Sequence, residues 1–274
     1  MSHGGRWQLV FGEEYEEKLC DFLPKIIEHG NVASTNPEAM GTAIAYMNDD
    51  ESFGFVALIA LKEEGAHEFV SGYPIMPRGI VHPLKVSEVK DEPECLERMV
   101  EAEVVGAGSI GFFEPFGMTT DTQYSVDKHY DIELSALAYS LNYAEEQKIP
   151  IKKEETIRAM HSDDTLPGGV RPFPLMVSTK GMAACFHRPD LDIGDHEYQG
   201  TIKSIETIKF EDQSIYRVVV TVMRRCNFEE DIDDLDEDVD IPIYATEEAL
   251  EGGYIPRIGD DVNGLMWMQG RAYS

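Results

Sequence analysis

Two histidines and three aspartates lie within a ten-residue segment, residues 187–196. Imidazole and carboxylate groups are the ligands with which proteins hold Zn²⁺ or a catalytic divalent ion. The candidate ligands of a metal-dependent hydrolase are His187, Asp190, Asp192 and His196. Their spacing matches no standard pair of ligands on a helix, and the segment is predicted to be a loop. The alternative is therefore a solvated polar loop that holds no metal.

A second pattern that could do chemistry spans residues 106–111, which match the dinucleotide-binding pattern GxGxxG. Such a site needs a buried strand before the glycines and a helix after them. The preceding residues include Glu101 and Glu103, which a buried parallel strand would not carry, and Pro115 prevents a useful helix afterwards. The same objection applies to Ser109 as the nucleophile of a GxSxG variant. The pattern therefore predicts a glycine-bearing strand in a curved sheet, with no cofactor.

Negative charge is the strongest signal in the chain. Asp and Glu number 52 against 23 Lys and Arg, which gives a formal net charge of −29 at pH 7. Among residues 229–240, nine of twelve are acidic and none is basic. Such charge attracts basic partners and disfavours contact with nucleic-acid phosphates and anionic membrane surfaces. We therefore predict a basic protein partner, no direct contact with nucleic acid and no membrane association.

The predicted partner-binding surface is this acidic run. Its residues are Glu229, Glu230, Asp231, Asp233, Asp234, Asp236, Glu237 and Asp238. Ile232, Leu235 and Val239 recur at spacings of three and four, so the run could dock one apolar edge in helical form. Two alternatives stay open. One is a solvated loop, since like charges repel, and the other is weak calcium binding, although the run lacks the glycine of an EF-hand loop.

Size and cysteine usage favour a cytoplasmic globular protein. A chain of 274 residues is long enough for one large domain or two smaller ones. No long apolar stretch follows the first residues, so no secretory signal is predicted. No window contains the roughly 18 apolar residues of a membrane span. The four cysteines are scattered, which is typical of proteins in a reducing cytosol.

Strand patterns dominate, and they predict a strand-dominated α+β protein with an N-terminal helix plus antiparallel sheet, followed by a β-rich region. The helix is predicted at residues 13–29, where an apolar face follows acidic first turns, and Pro24 is expected to kink or split it. The charged residues 85–97 predict a linker or short helix that separates regions 1–96 and 97–274. A short helix is also predicted at residues 154–160. Strands are predicted at residues 42–47, 53–61, 68–73, 101–113, 129–139, 175–179, 182–186, 200–210, 215–223, 240–244 and 265–269.

The last quarter of the chain carries a resemblance. From Tyr198 onward the predicted order is strand, turn, strand, acidic loop, strand, short helix and closing strand. This order resembles the Greek-key barrels called OB-folds and implies an OB-like part at residues 198–274. The ending Trp267-Met268-Gln269-Gly270 is similar to that of an uncharacterised bacterial family, to which no activity is attached. OB-folds that bind single strands combine aromatic side chains with a basic groove, whereas here the aromatics lie among carboxylates.

Three functions are compatible with these residues. The leading hypothesis is a non-catalytic acidic binding protein, such as an inhibitor or immunity-type protein that masks the nucleic-acid-binding site of a basic partner. One alternative is the metal-dependent hydrolase built on residues 187–196. The other is a structural or assembly component that self-associates through the strand containing Trp267. No internal repeat is convincing in the sequence.

Overall fold

A computed structural model describes residues 3–36, 41–62, 67–120, 122–151, 175–188, 190–225 and 238–273. The helix predicted at residues 154–160 lies outside these residues. Within them the protein is a strand-dominated α+β fold, as predicted, with a helix and antiparallel sheet first and a large mixed sheet after it. In this described part of the chain, no helix is long and apolar enough to cross a membrane.

The N-terminal part packs helices against an antiparallel sheet. The helices are α1 (Gln8–Phe11) and α2 (Tyr15–His29), and the strands are β1 (Asn31–Asn36), β2 (Gly41–Met47), β3 (Gly54–Leu61) and β4 (His67–Ile75). The predicted helix and the β2–β3 hairpin are confirmed. α2 runs through Pro24 without splitting. Phe22 and Ile26, on either side of the proline, are buried in the same apolar cluster and hold both halves of the helix in place.

Aromatic rings fill the space between the two parts of the chain. Trp7 stacks on Phe55, with ring centroids 3.7 Å apart and an interplanar angle of 7°, and its Nε1 donates to the Gly72 carbonyl at 2.6 Å. Phe210, from the second half of the chain, meets Phe55 edge-on with 5.2 Å between ring centroids. All three rings are buried in one hydrophobic cluster. The N-terminal part and the remainder therefore share a core.

A nine-stranded mixed sheet forms most of the remainder. Its strands are β5 (Ile80–Glu92), β6 (Glu97–Val104), β7 (Gly108–Glu114), β8 (His129–Tyr143), β11 (Ala184–His187), β12 (Asp195–Phe210), β13 (Gln213–Arg224), β14 (Asp238–Thr246) and β15 (Asp261–Ala272). β9 (Lys148–Ile151) and β10 (Leu175–Ser178) form a separate ribbon. The strands predicted at residues 200–210, 215–223, 240–244 and 265–269 are confirmed, and each extends further than predicted.

Two of the predicted elements are wrong. Residues 85–97, expected to be a linker or helix, lie mostly in β5, because Leu84 and Val86 are buried while the charged side chains between and beyond them face solvent. Residues 101–113, expected to be one strand, form β6 and β7 with a turn between them. That turn contains Gly106 in the left-handed region, at φ +76°, where a residue without a Cβ is favoured.

The large sheet closes into two rings that share β8 and β15. In the first ring, β12, β13 and β14 form a meander, β14 pairs in parallel with β8, and β15 pairs with both β8 and β12. In the second, β5, β6 and β7 form a meander, β7 pairs in parallel with β15, and β8 pairs with both β15 and β5. Each ring thus takes its closing parallel strand from the other half of the chain, and residues 198–274 alone cannot close the first ring.

The two halves repeat one pattern of strand pairing. The first strand of each meander carries a β-bulge at the corresponding point, between Val86 and Glu88 in β5 and between Ile202 and Ser204 in β12. A bulge bends its strand and increases the local twist, which helps a sheet to curve into a ring. Corresponding core positions are apolar but often differ in residue type, as Val86 and Ile202 or Ala102 and Val220 do, so the sequence did not reveal this repeat.

Candidate functional site

The acidic run joins β13 to β14, and most of it lies outside the described residues. Of the predicted partner-binding residues, Asp238 is described, at the start of β14. The remaining seven, Glu229, Glu230, Asp231, Asp233, Asp234, Asp236 and Glu237, fall in residues 226–237. In the other half of the chain, the corresponding strands β6 and β7 are joined by residues 105–107 alone. The acidic run therefore lengthens the connection between β13 and β14, whereas the corresponding connection between β6 and β7 is a short turn.

Basic residues already pair with the described end of the run. Lys203 Nζ lies 2.8 Å from carboxylate oxygens of both Asp238 and Asp240, and Arg224 Nε lies 3.4 Å from Asp238 Oδ1. Burial acts to lower the pKa of Lys203, but hydrogen bonds to the two carboxylates outweigh it and raise that pKa. Asp240 also accepts a hydrogen bond from the Thr221 hydroxyl at 2.7 Å. Since Asp238 has two cationic partners, we expect it to contribute least to partner binding.

On the β13 side, the last described residue before the run, Arg225, is fixed to the β6–β7 turn. Arg225 is buried, its Nε donates to the Val105 carbonyl at 3.0 Å, and its Nη2 lies 3.5 Å from His82 Nδ1. His82 Nε2 lies 2.8 Å from the Asp240 carbonyl oxygen, so a neutral ring protonated on Nε2 satisfies both contacts. Sequence reasoning missed His82 and Arg225, because residues so far apart in the chain give no local signal of their contact.

His196, a predicted metal ligand, is buried and has partners on both ring nitrogens. Its Nε2 accepts a hydrogen bond from the Gly111 backbone N–H at 3.3 Å, and its Nδ1–H donates to the Gly194 carbonyl at 3.0 Å. Burial lowers the pKa of His196 to about 4, so the ring is neutral at pH 7. Binding a metal ion would require breaking one of these two bonds.

The other predicted ligands are not brought together around an ion. Two hydrogen bonds from Arg188, at 2.8 and 2.7 Å, lower the pKa of Asp190 to about 2. Asp192 accepts the Ile193 backbone N–H at 2.9 Å, and His187 is exposed on β11. Across the described residues, no group of three or more His, Cys, Asp or Glu side chains is placed to hold a metal ion. In the structure, Asp190 therefore binds Arg188, and Asp192 and His196 bind backbone groups.

Asp195, the remaining aspartate of the segment, is buried with a cation from the N-terminus. Arg6 Nη2 donates to both carboxylate oxygens of Asp195 at 3.2 Å, and the Tyr139 hydroxyl donates to Oδ1 at 2.6 Å. The guanidinium also lies over the rings of Tyr139 and Trp267, at 5.1 and 5.5 Å from their centroids. Arg6 thereby connects the N-terminal segment to β8 and β15, the strands shared by the two closed rings of the sheet.

A small cavity lies between β6, β7 and the segment that follows β11. Its volume is about 160 Å³, and it is lined by Glu101, Ser109, Ile110, Gly111, His187 and Ile193. The Glu101 carboxylate also pairs with Lys90 Nζ at 3.2 Å. Ser109 is a strand residue in an antiparallel hairpin, which is not the strand-to-helix turn that a GxSxG nucleophile needs. The lining combines a carboxylate, a hydroxyl and an imidazole with apolar walls, a set suited to holding a polar group with an apolar stem.

The strand proposed for self-association is enclosed. β15 pairs with β12 on one side and with β8 on the other, and Trp267 is fully buried. It has neither an exposed ring nor a free edge to offer a second copy along these pairings. The structure therefore does not support self-association through this strand.

Comparison with known proteins adds no relative. No family model matches the chain, and neither the curated proteins nor the solved structures gave a significant match. The functional proposal therefore rests on the residues of this chain.

Two buried groups have displaced pKa values with opposite consequences for stability. The ordinary pKa of His196 is 6.5, and burial lowers it to about 4, so the unfolded chain binds this proton first and stability falls as the pH drops from 6.5 to 4. Glu114 lies buried beside Arg98 and Tyr124, and burial raises its pKa from 4.5 to about 7. The folded chain binds that proton first, so this contribution rises as the pH drops from 7 to 4.5.

We expect each single variant to reveal the contribution of the other group. In Glu114→Gln, the free energy of unfolding should fall more steeply than in the wild type between pH 7.5 and 4.5, since the His196 contribution of about 3 kcal/mol is then unopposed. In His196→Gln, the Glu114 contribution is unopposed, so the free energy of unfolding at pH 4.5, relative to that at pH 7.5, should be higher than in the wild type. Urea unfolding at the two pH values measures both. Parallel pH profiles for all three proteins would show that neither group is perturbed.

Proposed function

We propose that the protein is a non-catalytic binding protein whose acidic run engages a basic protein partner. The observation that carries this proposal is the run itself: nine acidic residues in twelve, with no basic residue, between two paired strands of the barrel. In this proposal the protein acts in the cytoplasm as an inhibitor or immunity-type protein, and its carboxylates occupy the site where the partner would bind a nucleic-acid backbone.

The contacts at the ends of β13 and β14 support this proposal. Arg225 and His82 fix the β13 end, and Lys203 fixes the β14 end. Because the strands are held before the partner arrives, binding does not have to order the scaffold, which lowers its entropic cost. Charge concentrated on one connection also accelerates encounter with an oppositely charged surface and gives salt-dependent affinity.

The first ring, formed by β12, β13, β14, β8 and β15, is a suitable scaffold for this connection. A closed five-stranded ring, with a meander and a parallel closing strand, supports the proposal that this part is OB-like. OB-folds that bind single strands use basic grooves, whereas this chain is strongly acidic. We therefore propose that the ring presents the acidic connection to a protein, and that nucleic acid is not its direct ligand.

Four substitutions in the run test the function. Asp231→Asn, Asp233→Asn, Asp234→Asn and Asp236→Asn, combined in one chain and called the four-Asn variant, should weaken capture of the partner by at least about a hundredfold. The measurement is a tagged pull-down from lysate at low and moderate salt, identified by mass spectrometry. The wild type should recover a basic protein, and less of it at the higher salt concentration, since exposed charges are screened.

A matched control separates the run from net charge. Glu13, Glu14, Glu16 and Glu17 are exposed near the start of α2, and changing all four to Gln removes the same charge elsewhere. This control should capture the partner as the wild type does. Equal loss in both variants would mean that total charge, and not the run, attracts the protein. Equal capture by the wild type and the four-Asn variant would contradict the proposal.

A further inference from the structure

The cavity lined by Glu101 lies close to Arg225, the described residue after which the chain continues into the acidic run. Val105, which accepts the bond from Arg225, lies in the turn after β6 and follows Glu101 by four residues, a distance of about 13 Å in an extended chain. A typical protein partner covers about 800 Å² of surface. Such a footprint is wide enough to include both the cavity and Arg225, which precedes the acidic run.

We propose that this cavity receives an arginine side chain of the basic partner, an inference that rests on the proposed function. The Glu101 carboxylate and the Ser109 hydroxyl accept hydrogen bonds from a guanidinium group. Gly111 and Ile193 form apolar walls against which the methylene stem of arginine packs. The exposed His187 ring provides a flat surface on which a guanidinium plane stacks.

The existing ion pair of Glu101 does not block this site. Glu101 and Lys90 are joined at 3.2 Å, but their side chains are 41% and 46% exposed. Exposed pairs of this kind contribute little to stability, so an arginine that forms two hydrogen bonds can replace the lysine. Arginine side chains held in central pockets are among the residues that dominate binding energy at protein interfaces. The cavity thus supplies a specific contact beside a run that supplies long-range attraction.

Titration of the protein alone with N-acetyl-arginine amide tests the cavity. In spectra of the ¹⁵N-labelled protein, the backbone amides of Ser109, Gly111 and Ile193 should shift in a saturable manner, with a dissociation constant in the millimolar range. N-acetyl-citrulline amide, which has the same shape without the charge, should cause no saturable shift. Absence of a saturable shift with the arginine derivative would overturn the proposal.

Three variants sharpen this titration. Glu101→Gln should weaken binding of the arginine derivative by about tenfold or more, and Ser109→Leu, which fills the cavity without changing charge, should abolish it. Glu103→Gln removes an exposed carboxylate two residues away on β6 that does not line the cavity, and it should bind as the wild type does. Equal affinity in Glu101→Gln and the wild type would contradict the assignment.

The two proposals fail in different experiments. The four-Asn variant should bind the arginine derivative as the wild type does, because its changes lie outside the cavity. A failed titration with intact partner capture would reject the cavity and leave the acidic run as the contact. An intact titration with capture that is indifferent to the four-Asn changes would support the cavity and reject the run.

Discussion

Replacing residues 226–237 with the dipeptide Asn-Gly is expected to abolish partner binding while the first ring stays folded. Arg224 and Asp238 are a cross-strand pair, so the new connection is Arg225-Asn-Gly, a three-residue hairpin loop that ends in glycine. The other half of the chain shows that a connection of this length suffices, since residues 105–107 join the corresponding strands. Removal of the run should weaken binding by more than the four-Asn variant does, beyond about a hundredfold.

The stability of this shortened chain is the control. Because a short loop costs less closure entropy than a long one, the free energy of unfolding should rise by about 1 kcal/mol or stay unchanged. Urea unfolding measures it, and the pull-down with the same protein measures binding. A shortened chain that folds and still captures the partner would place the contact elsewhere. A chain that cannot fold would show that the run is part of the scaffold.

Arg6→Ala is expected to lower the free energy of unfolding by about 3 kcal/mol. The change leaves the Asp195 carboxylate, whose side chain is 4% exposed, without its cation. Removing one partner of a buried ion pair costs about 3–5 kcal/mol, because the remaining charge stays desolvated. The guanidinium contacts with Tyr139 and Trp267 are lost as well. Urea unfolding at pH 7 measures the difference.

A double-mutant cycle distinguishes this pair from simple loss of packing. Asp195→Asn combined with Arg6→Ala should be less destabilised than the sum of the two single variants, with a coupling of 1 kcal/mol or more. Arg78→Ala is the surface control, since Arg78 and Glu206 form a pair whose side chains are 42% and 38% exposed, and it should cost less than about 1 kcal/mol. Additive effects at Arg6 and Asp195 would contradict the buried pair.

The local elements of the fold could be predicted where the residue types of a segment favour strands. β13 and β14 were found in this way, because runs of Val, Ile and Tyr favour strands, and both are buried over most of their length. The prediction failed at β5, where acidic and basic residues outnumber the buried Leu84 and Val86. In that strand, tertiary burial of a few apolar side chains outweighs the polar composition of the segment.

Ring closure could not be predicted from the sequence. The parallel pairs β14–β8 and β7–β15 join strands that are far apart in the chain, and alternation within a strand does not specify which distant strand it meets. The repeat of the two halves is hidden for a related reason. Ala102 and Phe112 have Val220 and Ile243 as their counterparts. Such positions need an apolar residue of suitable size, and cores accept several residues that meet that requirement.

The candidate site was predictable only where it depends on composition. The acidic run is visible in the sequence because like charges are adjacent. The contacts that anchor it are not, since His82, Arg225 and Val105 lie on three different strands or turns. The candidate metal ligands show the opposite case: they are close in sequence, but the structure does not group them around an ion, and Asp190 and His196 bind Arg188 and a backbone carbonyl. Proximity along a chain does not establish a shared ligand.

The affinity for the captured partner at several salt concentrations is the most direct test that the acidic run is the contact. Isothermal titration calorimetry would compare the wild type with the four-Asn variant and with the Gln control at Glu13, Glu14, Glu16 and Glu17. We expect the affinity of the wild type and of the control to fall steeply as salt is added, and that of the four-Asn variant to be weaker by at least about a hundredfold at low salt, with a flatter dependence. The same affinity and the same salt dependence in all three proteins would show that the acidic run does not bind the partner.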